Sequence, residues 1–531
     1  MHCHPIVSCT AAVEYEAQLL KDDLAIVSAM EAAGEGVGKA ILNDYNQRAP
    51  LPRDPHVLIL LGKGYNAGDA LIAARTILET RPRTTVYLLL AFEKNELKPL
   101  LQPLLESLIQ LPAVKQIAFD AKEPFTVESI QFLLQSILGK ENNFDISIDG
   151  LLGVSFRPPL SDAIHKIVQA VNGLTCIKFR AAVDIPTGLQ EHNSTLVLHA
   201  DFTYVVGVPK ALLFLENNLK FTGRLRYLNI GFFSEDKTKE VLCSETQLVL
   251  PSILNDLAQL RPSNSYKKTF GHLLIVGGSL NTPGALLMAS QAALRSGVGL
   301  VTIGAPEQLC PNYFNTVPEV MCVGLSMTAE GTIAAKGFNQ LDAHLNKATA
   351  ILIGPGMSLN PETQCALAEW LPIANLPIIL DAEALTPLIL ESVQKRPAQF
   401  PPVGITPHHG EFQRLNYPSQ LNFEPAELKN FCNRFKVTLL LKGPLTRIVT
   451  PSHLWISTFG GPLLARGGSG DLLAGLVAGL IAQSPHAPFL HTFAQAVVWH
   501  GKAADMCAKH YGERAVKITD MLNCLSEALR L

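Results

Sequence analysis

The chain has 531 residues, a net charge of −3, and 48% hydrophobic against 17% charged residues. That balance excludes disorder as the main state and lacks the basic excess of a general nucleic-acid binder. Mean hydropathy is +0.21, yet no run reaches the ~18 apolar residues of a membrane span.

At roughly 100–200 residues per domain, the length predicts two to four domains. The ten cysteines form no CxxC pair and no zinc-type spacing with histidine. The first residues lack the basic and then apolar pattern of a secretory signal, so free thiols in a reducing cytoplasm are expected. His2-Cys3-His4 reads as a frayed end and Asn193-Ser194-Thr195 as a chance glycosylation sequon.

In chain order, the first half opens with a helical stretch over Ala11–Leu42. Val57–Leu61 is a continuous apolar run, the mark of a strand buried on both faces. A helix at Ala67–Glu79, a strand at Thr85–Leu90, an amphipathic helix at Leu97–Leu111 and strands at Ile146–Ile148 and Ala181–Val183 follow. This rhythm predicts a doubly wound parallel sheet. The charged stretch Ser234–Glu240 marks a linker, giving expected domains at 1–235 and 247–531 with a linker at 236–246. The second half restarts the pattern with strands at Leu273–Val276, Ala350–Ile353, Pro377–Leu380 and Thr438–Leu441 and helices at Gly284–Gly297 and Leu472–Ile481. The expected class is α/β, with two doubly wound αβα domains.

Every chemical motif follows a strand, where open α/β sheets bind ligands. Gly62-Lys63-Gly64-Tyr65-Asn66-Ala67-Gly68-Asp69 joins a strand to a helix whose free amides suit an anion. Asp149-Gly150-Leu151-Leu152-Gly153 and Asp184-Ile185-Pro186-Thr187-Gly188 follow two further strands. Each Asp is either a turn former or a ligand, and if the turns converge, Asn66, Asp149 and Thr187 offer hard oxygens for a group I or II cation.

These motifs resemble the NAD(P)H-hydrate epimerase family, with its G-N-N-G-G-D-G, D-A-L-x-G-T-G and V-D-I-P-S-G runs. The Ser-Ala-Met-Glu-Ala-Ala-Gly run at 27–33 is similar to that family's N-terminal motif. The resemblance implies a Rossmann-like N-terminal domain. It implies substrate contacts at Tyr65, Asn66, Ala67, Gly68, Asp69, Gly153, Val154, Ser155, Phe156, Arg157, Pro158, Pro159 and Asp184, and potassium at Asn66, Asp149 and Thr187. Tyr65 replaces the family's Asn, Ala67 and Ala70 replace Gly, and Val154-Ser155 replace Thr-Gly. A phenol and two methyl groups in a ligand-hugging turn leave two alternatives, an active epimerase or a retained scaffold.

In the second half, Gly467-Gly468-Ser469-Gly470-Asp471 precedes an apolar helix. Clustered glycines let amides close around a phosphoryl group, and Asp471 stands where a substrate hydroxyl loses its proton. Lys442-Gly443-Pro444-Leu445-Thr446, Thr406-Pro407-His408-His409-Gly410-Glu411 and Asp381-Ala382-Glu383 each follow a strand. The two acids of the last motif suit a magnesium shell or a loop.

With Pro283-Gly284-Ala285 and Gly354-Pro355-Gly356, these six motifs in order resemble the ribokinase-like NAD(P)H-hydrate dehydratases over roughly 245–531. The resemblance implies a ribokinase-like C-terminal domain. It implies substrate contacts at Ala285, Gly356, His408 and Asp471, nucleotide contacts at Lys442, Gly443, Pro444, Leu445, Thr446 and Gly470, and catalysis by Asp471. The implied activity is a bifunctional one. It exchanges the epimers of hydrated NADH and NADPH and dehydrates one of them with ADP as phosphoryl donor, using K+ in the first domain and Mg2+ in the second. ADP against ATP stays open. A homo-oligomer acting on small molecules, without nucleic acid or membrane, is expected. The competing reading is a vitamin-precursor kinase with a non-catalytic N-terminal binding module.

Overall fold

The computed structural model describes residues 2–117, 125–139, 143–191, 194–233, 244–415 and 424–530. Asn193 of the sequon and residues 236–243 of the expected linker lie outside them, and Thr246 already opens a strand. The chain divides into one unit of His4–Ser244 and another of Met1–Cys3 with Glu245–Leu531. The first three residues therefore group with the second unit, not with the N-terminal half. Nor is the start frayed: β1 (Cys3–Pro5) is a buried strand, and Leu250 N donates to His2 O at 2.9 Å.

The first unit contains a seven-stranded, wholly parallel sheet of β2 (His56–Leu61), β3 (Thr85–Leu90), β4 (Val114–Ile117), β5 (Ile146–Gly150), β6 (Arg180–Val183), β7 (Phe202–Val206) and β8 (Arg224–Leu228). Its order is β4-β3-β2-β5-β6-β7-β8. Val57, Ile59 and Leu61 point into one core with helices Asp23–Tyr45 and Tyr65–Thr80, while Leu58 and Leu60 point into another with helices Val127–Ile137 and Asp162–Gly173. Period-two alternation with both faces covered explains the continuous apolar run. Each such side chain contributes about 1.5–3 kcal/mol on burial.

Two expected helices differ. The stretch Ala11–Leu42 is split into Cys9–Leu19 and Asp23–Tyr45, because Asp22 caps the second helix by accepting from Ala25 N at 2.8 Å. Leu97–Leu111 shortens to a 3₁₀ turn at Pro99–Leu101 and a helix at Gln102–Ile109, with its prolines confined to the first turns where their missing N–H costs nothing.

The second unit is built on β9 (Thr246–Val249), β10 (His272–Val276), β11 (Leu300–Pro306), β12 (Met321–Leu325), β13 (Ala350–Ile353), β14 (Ile378–Leu380), β15 (Val403–Ile405), β16 (Val437–Leu441), β17 (Thr446–Val449) and β18 (Leu454–Ser457). The sheet order is β1-β9-β18-β17-β16-β15-β14-β13-β10-β11-β12. β17 runs antiparallel to its neighbours β16 and β18, β9 runs parallel to β18, and the pairs from β12 through β16 are parallel. Helices Pro283–Arg295 and Ser469–Gln483 pack closely, since Gly475 lets the second backbone approach Ala289 of the first. Both units are doubly wound α/β. Among the described residues, no helix is long and apolar enough to cross a membrane.

Candidate active sites

In the first unit, strand order reverses between β2 and β5, the switch point at which open sheets take ligands. A cavity of about 1040 Å³ opens there. It is lined by Tyr65, Asn66, Asp69, Gly153, Val154, Ser155, Phe156, Arg157, Pro159 and Asp184 from the expected set. Ala67, Gly68 and Pro158 do not line it. Ala67 and Gly68 lie on the buried face of helix Tyr65–Thr80, where a Cβ on Gly68 would meet Met30 Sδ at 2.2 Å. Ala70 packs on Gly150. The extra methyl groups of this turn therefore face the core, and of its three substituted residues Tyr65 alone lines the cavity. The residue is 37% exposed, with Lys98 Nζ 3.4 Å from its ring centroid.

The three expected potassium residues belong to one hydrogen-bonded set. Thr187 donates to Asp149 through both N and Oγ1 at 2.7 Å. Leu152 N donates to Thr187 Oγ1 at 3.1 Å, and Leu152 O accepts from Asn66 Nδ2 at 2.9 Å. Burial pushes the Asp149 carboxyl up to about 6 against the hydrogen bonds it accepts. No cationic side chain among the described residues acts on it. A buried carboxylate of this kind beside Asn and Thr oxygens fits a monovalent cation.

Two residues absent from the sequence reading complete this site. Lys210, four residues beyond β7, is fully buried and donates to Asp184 Oδ1 at 2.6 Å and Val206 O at 2.9 Å. Glu16 Oε1, from helix Cys9–Leu19, lies 3.5 Å from the same ammonium. Both line the cavity. The only local signal for Lys210 is its place just past a strand adjoining the one that delivers Asp184.

In the second unit, β14, β15 and β16 are adjacent, so Asp381, Thr406 and Lys442 leave the sheet side by side. Lys442 Nζ donates to Asp381 Oδ1 at 2.9 Å and lies 3.7 Å from Glu411 Oε2. Thr406 Oγ1 also donates to Asp381 Oδ1, at 2.7 Å. The Lys442 ammonium abuts Gly470: a Cβ there would be 3.0 Å from it. Burial works against this ammonium, but Asp381 and Glu411 outweigh it and hold its pKa above the usual lysine range.

Gly468 has φ +91°, a conformation that favours glycine, and it turns the chain into helix Ser469–Gln483. Arg466 anchors this turn by donating to the carbonyls of Glu513, Arg514 and Val516. Asp471 is half-buried in the first helical turn. Burial first, and then Asp381, push its carboxyl up to about 7. This carboxyl, within the field of Lys442, can therefore exchange a proton near neutral pH.

Gly356 N bonds the Glu383 carboxylate, and a Cβ on Gly356 would meet that of Ala285 at 3.2 Å. His408 is exposed, and its Nδ1 accepts from Glu411 N at 3.2 Å, so part of its role is to cap the short helix His409–Arg414. Leu445 is buried in the core, which leaves only its backbone for a nucleotide. Glu383 Oε2 is buried without a hydrogen-bond partner among the described residues, close to Asp381 and Glu411. That orphaned oxygen fits a hydrated divalent cation. No group of three His, Cys, Asp or Glu among the described residues could hold a metal alone, so such an ion would also need phosphate oxygens.

The fold and the two clusters define a two-domain α/β enzyme with one candidate ligand site on each sheet. A family model described as NAD(P)H-hydrate dehydratase matches residues 273–527, and one described as YjeF-related protein N-terminus matches 28–212. A protein named bifunctional NAD(P)H-hydrate repair enzyme Nnr from Moorella thermoacetica is 28% identical over 94% of this chain and 92% of its own. Its namesake from Coxiella burnetii is 29% identical over 96% of each. A crystal structure of the ADP/ATP-dependent NAD(P)H-hydrate dehydratase from Bacillus subtilis is 30% identical, covering 51% of this chain and 93% of its own, with a TM-score of 0.44. The chain belongs to the family of bifunctional NAD(P)H-hydrate repair enzymes. The vitamin-precursor kinase reading is not favoured.

Proposed function

We propose that this chain restores damaged nicotinamide nucleotides. The C-terminal unit dehydrates hydrated NADH and NADPH with ADP as phosphoryl donor, and the N-terminal unit exchanges the two epimers of the hydrate. The observation that carries the reading is Asp471, set at the mouth of a glycine turn, balanced near neutral pH and facing Lys442.

In this reading Asp471 takes the proton of the ring hydroxyl as its oxygen attacks the terminal phosphorus of the nucleotide. Amides of Gly468–Gly470 and the Lys442 ammonium stabilise charge on the transferring group. The ring nitrogen lone pair then expels phosphate, a far better leaving group than hydroxide. Loss of a proton from the neighbouring ring carbon restores the dihydropyridine. Asp381 and Glu383 would hold Mg2+, which when bound neutralises phosphate charge. Lys442, Gly443, Pro444, Leu445, Thr446 and Gly470 contact the nucleotide, and Ala285, Gly356 and His408 contact the hydrate.

A chiral pocket accepts one epimer far better than the other, and an epimerase in the same chain removes that limit. K+ held at Asn66, Asp149 and Thr187 would keep Asp149 ionised and brace the turn beneath the cavity. The chain acts on small molecules alone, in the cytoplasm and as a homo-oligomer.

The test is recovery of reduced-nicotinamide absorbance from a mixture of both NADPH-hydrate epimers, with ADP, with ATP and with neither. Nearly complete, nucleotide-dependent recovery supports both activities and names the donor. A stop after one epimer refutes the epimerase half. Full activity of Asp471→Asn would remove Asp471 from its role.

A further inference from the structure

The N-terminal cavity holds three carboxyl groups around one ammonium, and one of them, Glu16, lies outside the matched region 28–212. Lys210 has three N–H donors, and three oxygens meet them: Asp184 Oδ1 at 2.6 Å, Val206 O at 2.9 Å and Glu16 Oε1 at 3.5 Å. Asp184 also accepts from Val206 N at 3.3 Å, which makes it the most firmly tied of the carboxyls. Asp69, in the second turn of helix Tyr65–Thr80, faces the same group and the cavity. Three carboxylates cannot all ionise around a single buried cation.

Building on the epimerase reading above, we propose that Asp69 protonates the departing hydroxyl of the hydrated ring and that Glu16 is a positioning residue that keeps this proton on Asp69. The step balances. The ring nitrogen lone pair forms a C=N bond as the C–O bond breaks, and the hydroxyl leaves as water with the Asp69 proton. Water then adds to the other face of the same carbon, the electron pair returns to nitrogen, and the proton returns to Asp69. No oxidant, reductant or further reactant is needed.

The electrostatics agree with the geometry. Burial, and then the negative charges of Asp184 and Glu16, push the Asp69 carboxyl well above the usual range, while Lys210 pulls it down. Burial raises Glu16 as well, with Lys210 opposing. The facing groups come from every element around the cluster: Glu16 and Cys9 on helix Cys9–Leu19, Asp184 beyond β6, Glu191 in the loop after it, and Lys210 beyond β7. Glu16 is therefore the charge that can be removed without breaking the short Asp184–Lys210 pair.

The experiment compares pH profiles of epimer exchange in the full-length chain and in Glu16→Gln, with spontaneous exchange subtracted. Removing the Glu16 charge should let Asp69 release its proton earlier. The alkaline limb of kcat/KM then moves down by about one pH unit, roughly a tenfold loss at fixed pH on that limb. Lys210→Gln should move it the other way. The infrared signal of a protonated carboxyl that is absent in Asp69→Asn should titrate with the same two shifts. Superimposable profiles and an unshifted infrared titration overturn the proposal, as does a uniform loss of rate at every pH. If the wild-type chain exchanges no epimers, the epimerase reading fails, and the infrared titration still decides whether Glu16 governs the Asp69 proton.

Discussion

Replacing Lys442 by Met removes an ammonium that faces Asp381 and Glu411, whose side chains are only 2% and 9% exposed. The methionine fills most of the aliphatic space, so the loss is electrostatic. Leaving a buried charge without its partner costs about 3–5 kcal/mol, a large share of a net stability of about 5–15 kcal/mol. At about 2–4 °C per kcal/mol for a domain of this size, the unfolding temperature of the C-terminal unit should fall by ~6–20 °C. Calorimetry of nucleotide-free protein measures the drop. The double variant K442M/D381N should recover most of the loss, because the pair is removed together. An unchanged unfolding temperature, or a double variant no better than the single one, would refute the ion-pair account.

The dehydratase kcat/KM should rise through a midpoint near pH 7, because the ionised form of Asp471, whose carboxyl is held at about 7, is the active one. A rate that falls over the same range would reverse the assignment. In the N-terminal unit, Ala67→Gly should leave epimer exchange unchanged and cost up to about 1 kcal/mol of helix stability, whereas Tyr65→Asn should change KM for the hydrate, since Tyr65 alone of the altered turn residues lines the cavity. An exchange rate sensitive to Ala67→Gly would show that the turn moves on binding. Gly475→Ala places a Cβ 2.1 Å from the Ala289 carbonyl oxygen, a backbone contact that cannot rotate away, and should lower the unfolding temperature by the equivalent of about 1–3 kcal/mol or more. Gly467→Ala, with nothing within 4 Å of the added Cβ, is the stability control.

What was legible in the sequence and what was not divide along one physical line. Val57–Leu61, Thr85–Leu90 and Ala350–Ile353 were readable because a strand covered on both faces must be apolar throughout, and they match β2, β3 and β13. The glycine turns and terminal aspartates were readable because turn chemistry is local. Ion-pair partners were not, because they are set by strand order and not by chain order. Asp381 and Lys442 are 61 positions apart, and only the adjacency of β14, β15 and β16 brings them together. Glu16 and Lys210 are further apart still, and each in isolation reads as an ordinary surface charge. The same limit applies to Ala67 and Ala70. Composition shows that two methyl groups were added to a glycine turn, but only the helical phase shows that they point inward.

The two sites are built alike, although their motifs share no sequence. Each sets a buried lysine beyond a strand end beside an aspartate from the neighbouring strand or the next but one: Lys210 with Asp184, and Lys442 with Asp381. Each leaves a further carboxyl, Asp69 or Asp471, with its pKa raised next to that pair. A parallel sheet favours this arrangement, since all its strand ends open on one edge and charges placed there are shielded from water by the flanking helices. The ion pair satisfies the buried cation, and the extra carboxyl, lacking a cation of its own, is left holding its proton more tightly than an ordinary carboxyl does. In the first unit that proton would reach a departing hydroxyl, and in the second it would come from an attacking one. The opposite directions follow from how each carboxyl is held: Asp69, pushed well above the usual range, favours keeping a proton to give, whereas Asp471, held at about 7, is ready to receive one.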